Sequence, residues 1–196
     1  MKFIGILLVA FGCLTSEIAA AQEYDFREAT LGMTLAEFQA LTPINGKVLR
    51  DGTATSCRPA NDPSDAQRGH LKCMRAGDDP FAAEGGYQSS PSYYFGRDTQ
   101  GATRLYMILI ISKRDNFITA VASLTQKWGE GKSSKTTVTN GLGTAIPKTT
   151  ISWKKSASEI TLESPCEDVR NLCISYEHNL LQVEILKSKG PSANSF

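Results

Sequence analysis

The chain is short of the residues from which most catalytic and metal centres are built. Its 196 residues include two histidines, His70 and His178, and no Cys-x-x-Cys pair. Zinc sites combine several His and Cys ligands at short spacings, so no metal site is expected. Gly-x-Ser-x-Gly and His-Glu-x-x-His are also absent, and Gly-Lys-Ser at 131–133 lacks the first glycine of a phosphate-binding loop. We therefore predict a non-catalytic protein with no cofactor, whose histidines lie in exposed turns.

An excess of charge of one sign is lacking as well. The chain has 21 Lys and Arg residues against 20 Asp and Glu residues, which gives a formal net charge of +1. Binding to a phosphate backbone requires clustered Lys and Arg side chains. Nucleic acid is therefore not expected as a partner.

No apolar run is long enough to cross a membrane. The run at residues 3–13 follows Lys2 and precedes the small residues 19–21; a bilayer span needs about 20 apolar residues. This pattern is typical of a secretory signal peptide. We predict a signal at residues 1–21 and a periplasmic or secreted mature chain that begins at Gln22 and has no transmembrane span. A lipoprotein signal ending at Cys13 is a weaker alternative, because Phe11 lies close before the cysteine.

Four cysteines remain after that cleavage, and an even number in an exported chain indicates disulfide bonds. Four cysteines allow three connectivities. We favour the pairs Cys57–Cys73 and Cys166–Cys173, because each pair encloses a short polar segment rich in turn residues.

Two segments carry clear helical signatures. Thr34 and Glu37 have the spacing of a capping box, and Thr42-Pro43 is expected to end the short helix that follows. Four apolar side chains recur with helical spacing later in the chain, and Gly129 ends that pattern; they are Phe117, Val121, Leu124 and Trp128. The second helix should pack its apolar stripe on a sheet.

The rest of the mature chain has the patterns of antiparallel strands. An unbroken apolar run at 105–111 predicts a central strand, paired in a hairpin with 92–95. Alternating apolar residues predict further strands near 151–153, 160–162, 172–176 and 181–185, although 179–189 can also be interpreted as a helix. We predict an α+β fold: one domain at 22–189 with five to seven antiparallel strands and two short helices, followed by a disordered tail at 190–196.

Aromatic side chains beside a Gly/Ser-rich stretch suggest a surface that contacts another protein. Tyr87 lies within the Gly/Ser-rich segment 77–91 and Tyr93 and Tyr94 follow it closely, and tyrosine is enriched at protein interfaces. Alternatively, alternate members of 93–95 face the core. A group of lysines in the C-terminal half could contact an anionic envelope component or form an ordinary solvated face; they are Lys127, Lys132, Lys135, Lys148, Lys154 and Lys155.

Several short motifs resemble those of small exported proteins of Gram-negative bacteria that open with LGMT-x-x-EF. More distantly, they are similar to the outer-membrane assembly lipoprotein SmpA and to folds of the β-lactamase-inhibitor-protein type. The motifs are Phe26-Arg27, Leu31-Gly32-Met33-Thr34, Glu37-Phe38 and the segment 124–129. The resemblance implies an α+β fold in the cell envelope. We expect non-catalytic binding to another envelope protein; the alternative is an inhibitor of a lysozyme, protease or lactamase, with 77–91 as its inhibitory loop.

Overall fold

A computed structural model describes residues 23–62, 65, 69–81, 91–139 and 141–188. The predicted signal peptide, Cys13, Tyr87 and the tail at 190–196 lie outside the described residues. Among the described residues, an eight-stranded antiparallel sheet dominates the fold, and a two-stranded hairpin and three α-helices accompany it. In chain order the elements are β1 (Asp25–Phe26), β2 (Ala29–Thr30), α1 (Leu35–Gln39), β3 (Thr55–Pro59), β4 (Leu71–Arg75), β5 (Ser92–Arg97), β6 (Thr103–Lys113), α2 (Phe117–Trp128), β7 (Lys132–Thr139), β8 (Ala145–Lys154), β9 (Ser158–Ser164), β10 (Asn171–His178) and α3 (Asn179–Lys187).

The strand order in the large sheet is β3-β4-β5-β6-β10-β9-β8-β7. β6 and β10 lie at the centre and pair antiparallel from Asn171 opposite Lys113 to Glu177 opposite Met107. The antiparallel α+β class is therefore as predicted. The predicted count of five to seven strands is wrong, because the main sheet has eight.

The main core lies on the face of the sheet that α1, α2 and the β1–β2 hairpin cover. Alternate residues of the central strands point into it, since successive side chains of a strand face opposite sides. The fully buried ones include Leu105, Ile108, Ile160, Leu162 and Leu172. Phe38 of α1 is also fully buried and contacts the rings of Tyr93 and Phe95. Burial of this apolar surface is the main source of stability for the fold.

α1 begins with the predicted capping box. The Thr34 hydroxyl accepts a hydrogen bond from the Glu37 amide at 3.3 Å, and the Glu37 carboxylate accepts one from the Thr34 amide at 2.7 Å. The hydrogen bonds that the Thr34 amide and hydroxyl donate to the Glu37 carboxylate lower the pKa of Glu37, because they stabilise its charged form. The capping box also satisfies two backbone donors in a helix of only five residues.

Thr34→Ala is expected to destabilise the protein by about 1 kcal/mol, because the hydroxyl cap is lost. Urea denaturation followed by tryptophan fluorescence measures this change. Thr34→Ser keeps the hydroxyl and is the control, so it should stay close to wild type. A loss of the same size in both variants would show that the methyl group of Thr34, and not its hydroxyl, is what matters.

α2 spans the predicted stripe from Phe117 to Trp128. Ala120 and Leu124 are buried, and Phe117, Val121 and Trp128 are half-buried against the main core. Gly129 ends the helix with a φ of 81°, a left-handed conformation that glycine adopts without steric cost. The amphipathic pattern therefore predicted both the helix and the face that it buries.

The prediction of a last strand at 181–185 is wrong, because these residues lie in helix α3. α3 packs on the opposite face of the sheet, where Leu181 and Ile185 form a small second core with Tyr106 of β6. Their separation of four residues places them on one side of a helix. Val183 also fits a strand pattern, but here it lies on the outer side of α3 and is exposed.

Candidate functional site

Both disulfide bonds have the predicted pairing. Cys57 and Cys73 lie directly opposite each other on β3 and β4, with their Cα atoms 4.0 Å apart. Cys166 precedes β10 and is bonded to Cys173 within it, at a Cα distance of 5.8 Å. The first bond fastens the β3 edge of the sheet. The second fastens the β9–β10 connection to a central strand.

The three predicted contact tyrosines do not form one surface. Tyr93 is fully buried, with its ring centroid 4.7 Å from that of Phe38. It is therefore a core residue and not a surface contact, which corrects that part of the prediction. Tyr94 is half-buried on the other face of the sheet, next to the second core, and the Lys72 ammonium lies 5.6 Å from its ring centroid. Tyr87 lies outside the described residues.

The histidines differ from the expectation of two exposed turn residues. His70 is 3% exposed, and its Nδ1 lies 3.4 Å from the Asp65 carboxylate and 3.5 Å from the Tyr106 hydroxyl. Burial raises the pKa of Tyr106 to about 12. His178 is half-buried, and its Nδ1 accepts a hydrogen bond from the Leu181 amide at the start of α3. The contacts of His70 connect the β3–β4 segment to β6, and His178 caps a helix.

One carboxyl group has the environment that is typical of a catalytic acid. Asp78 is 2% exposed, and its carboxylate accepts a hydrogen bond from the Tyr93 hydroxyl. Burial raises the pKa of Asp78 to about 6, although the nearby guanidinium groups of Arg27 and Arg75 lower it. Carboxyl groups with raised pKa values are common in active sites, and the surroundings of Asp78 therefore decide its role.

The groups around Asp78 hold separate segments of the chain together. The Arg27 guanidinium lies 3.7 Å from Asp78 and donates to the carbonyl groups of Gly77 and Asp79. The side chain of Asp78 is 1% exposed, so a substrate cannot reach it without displacement of the residues around it. The contacts join the segment after β4 to the β1–β2 turn and to the core through Tyr93. We assign Asp78 to this attachment.

Arg75 holds the same turn from the other side. Its side chain is 1% exposed and donates to the carbonyl groups of Arg27 and Thr42 and to the Glu28 carboxylate. Arg27 and Glu28 have φ angles of 47° and 72°, the left-handed conformations that a two-residue hairpin turn requires and that side chains with a Cβ rarely adopt. The hydrogen bond from Arg75 to the Arg27 carbonyl stabilises this turn.

The most exposed part of the sheet is a hairpin arm, which we define as residues 132–148. β7 pairs with β8 from Lys132 opposite Ser152 to Thr139 opposite Ala145. The pairing of β8 with β9 runs only from Thr149 to Lys154. Residues 136–139 of β7 and 145–148 of β8 therefore form a two-stranded part of the arm that extends past the end of β9. β7 also forms the outer edge of the whole sheet.

No residue of β7 is buried: all eight are exposed. The turn that joins β7 to β8 carries Leu142, which is 92% exposed, and Val138 is 36% exposed. Large apolar side chains at an exposed hairpin tip bury little surface and so add little to the stability of the fold, and exposed apolar residues of this kind often contact partners. β7 is polar at nearly every position and lacks the alternation of apolar and polar residues by which strands are recognised, so the sequence analysis did not predict it.

The lysines that the sequence grouped together have different environments. Four of them lie against other groups: Lys127 pairs with Asp25 at 2.7 Å, Lys148 with Glu163 at 2.8 Å and Lys154 with Glu159 at 3.2 Å, and the Lys155 ammonium lies 4.3 Å from the Tyr24 ring centroid. Lys132 and Lys135 are exposed on β7 and form no ion pair with any residue that the structure describes. The arm contains no Asp or Glu, so these two charges are not neutralised within it.

A second exposed apolar feature lies on α3. Leu180, Val183 and Leu186 follow each other at three-residue spacing on its outer side and are 64%, 49% and 54% exposed. Their side chains lie opposite Leu181 and Ile185, which are buried against the sheet. Ile118 of α2 and Met74 of β4 are exposed singly, whereas these three side chains lie together on one face of α3.

In comparisons with known proteins, no protein family, no curated protein and no solved structure matches the chain. No described helix is both long and apolar enough to cross a membrane. Among the described residues, no three His, Cys, Asp or Glu side chains lie together in a way that could hold a metal ion.

Proposed function

We propose that this protein is exported and acts in the cell envelope by binding another protein without catalysing a reaction. The observation that carries the proposal is the arm: two strands that extend past the sheet, with every residue of β7 exposed and Leu142 at the tip. An element that buries so little contributes little to the stability of the fold. Binding to a partner is the role that its shape and exposure fit best.

Two further features support the compartment. The residues at 1–21 have the pattern of a signal peptide, and the two disulfide bonds are of the kind that persists in an oxidising environment. The resemblance of the LGMT-x-x-EF opening to exported envelope proteins points the same way. The periplasm is therefore the compartment that we propose, with secretion as the alternative.

Inhibition of a hydrolase is the second candidate function. A narrow hairpin with an exposed leucine between Gly141 and Gly143 has a shape that could enter an active-site cleft. This moves the inhibitory element from the predicted loop at 77–91, of which only 77–81 and 91 are described, to the arm. A lysozyme, a protease or a lactamase is the class of target that this alternative requires.

A variant with a shortened arm tests both functions. Lys135 lies directly opposite Thr149, so residues 136–148 can be replaced by Asn-Gly, which forms the tight turn of a two-residue hairpin. The shortened chain keeps the pairing of β8 with β9 and should fold normally. Ile118→Ser, on the outer side of α2 where Ile118 is 80% exposed, is the matched surface control.

Tagged wild-type protein, the short-arm variant and Ile118→Ser are used to capture partners from a periplasmic extract. We expect the wild type and the control to recover the same envelope protein and the short-arm variant to lose it. Equal recovery by all three would contradict the assignment to the arm. Inhibition is supported if the captured protein is a hydrolase that wild-type protein inactivates and the short-arm variant leaves active.

A further inference from the structure

The outer edge of β7 is an open row of backbone hydrogen-bonding groups. β7 pairs with β8 over eight consecutive positions without a register shift. In an antiparallel ladder, alternate residues direct their N–H and C=O groups towards the neighbouring strand, and the remaining residues direct theirs away from it. No described strand lies on that outer side. The outward groups of β7 therefore have no backbone partner among the residues that the structure describes.

The two edges of the sheet differ in how far they are protected. β3, at the other edge, has five residues, ends at Pro59 and is fastened to β4 by the Cys57–Cys73 bond. Proline and short length are devices that keep an edge strand from pairing with other chains. β7 is longer, contains no proline and has no bulge in its pairing with β8. Lysine is the one protective device that β7 has.

The side chains of β7 leave the backbone accessible and give the edge a positive charge. Five of its eight residues are serine or threonine, whose side chains are small. Lys132 and Lys135 are an odd number of positions apart, so they point to opposite faces of the strand. A strand added beside β7 would meet one lysine on each face. Carboxylates at matching positions would pair with both of them.

We infer that the outer edge of β7 binds an extended, acidic segment of a partner protein, which adds to the sheet as a ninth strand. The inference rests on the proposed function, because it names how the arm binds its partner. Backbone hydrogen bonds would supply affinity, and Lys132 and Lys135 would select carboxylates three residues apart. A second copy of this chain fits less well, since β7 contains two lysines and no Asp or Glu, so pairing of β7 with itself supplies no carboxylate to either strand.

A synthetic peptide tests the edge directly. An eight-residue peptide, as long as β7, carries two glutamates three residues apart among threonine and valine residues. Its binding to the wild-type protein is measured by fluorescence anisotropy at low ionic strength. The matched peptide is N-methylated at alternate residues along one edge, which removes its backbone donors there and keeps its charge. We expect the first peptide to bind and the methylated peptide to lose binding.

Variants of the protein test the charge. Lys132→Gln with Lys135→Gln should weaken peptide binding about fivefold, because two exposed ion pairs are lost. Lys47→Gln with Lys113→Gln removes the same charge from exposed positions outside the arm and should leave the affinity close to wild type. Hydrogen exchange should show new protection at alternate amides of β7 when the unmethylated peptide is bound.

Three results would overturn the inference. They are equal affinity for the methylated peptide, equal affinity for a peptide with lysine in place of glutamate, and a concentration-dependent dimer in light scattering that the short-arm variant does not form. The last would favour a second copy of the chain. Should capture depend on the arm while the acidic peptide fails to bind, the edge inference falls and the proposed function stands. If the peptide binds as expected while capture of the partner does not depend on the arm, the edge of β7 binds acidic strands, but the proposed function of the arm falls.

Discussion

Replacement of Phe38 by alanine is expected to lower the free energy of unfolding by about 3–5 kcal/mol. Phe38 is fully buried, with its ring centroid 4.7 Å from that of Tyr93 and 5.2 Å from that of Phe95. It is the one buried residue of α1, so its loss leaves a cavity and detaches the helix from the sheet. Since domains are stable by about 5–15 kcal/mol, the variant should be close to unfolding at physiological temperature.

Denaturation in urea, followed by far-UV circular dichroism, measures the effect on Phe38→Ala. Gln39→Ala is the matched control: Gln39 is the next residue of the same helix and is exposed, so its replacement should change the free energy by less than about 0.5 kcal/mol. If Phe38→Ala lost no more than Gln39→Ala, α1 would not be packed on the sheet as the structure shows. A further variant, Phe38→Leu, fills most of the cavity and should recover part of the stability.

Asp78 is expected to make the protein less stable as the pH rises from about 4 to about 7. Burial raises the pKa of Asp78 from an ordinary 3.8 to about 6. At pH values between these two pKa values, the folded chain holds a proton at Asp78 that the unfolded chain has released. The free energy of unfolding therefore falls with rising pH across this window, and it loses about 3 kcal/mol by the time Asp78 is ionised in both states.

Asp78→Asn removes this dependence. The amide oxygen can still accept the hydrogen bond from the Tyr93 hydroxyl, and the side chain stays neutral at every pH. Urea denaturation of both proteins at about pH 4 and about pH 7 should show the stability difference moving in favour of the variant by about 2 kcal/mol, because the unfolded chain is already partly ionised at about pH 4. Glu167→Gln, at an exposed position in the β9–β10 connection, is the control and should follow wild type. Parallel pH curves for wild type and Asp78→Asn would show that Asp78 is ionised normally in the folded state.

The extent of successful prediction from sequence varied with how local the determining interactions are. The capping box of α1 and the stripe of α2 involve residues within one or two helical turns, and the structure has both. α3 was interpreted as a strand because Leu181, Val183 and Ile185 also alternate. Its helical state depends on the second core formed with Tyr106, a residue more than 70 positions away in the chain. Contacts of that range leave no pattern in a short window.

The candidate site was less predictable than the fold. β7 is an edge strand that buries none of its residues, so the apolar alternation by which strands are recognised is missing from it. The position of Tyr93 beside a Gly/Ser-rich segment predicts a contact residue. Its burial follows from the pairing of β5 with β4 and β6, which turns Tyr93 towards Phe38. The composition of a neighbouring segment says nothing about which face of a strand points inwards.

The sequence by itself determined the α+β class, the two disulfide pairs and the two helices whose signals lie in consecutive turns, because short-range spacing and turn residues carry those features. Only the tertiary structure decided which strand became the exposed edge, which lysines have no ionic partner among the described residues and which carboxyl group was buried. These properties depend on the order of strands in the sheet and on residues brought together from distant parts of the chain. Strand order is set by the burial of the whole core, and no single segment contains that information.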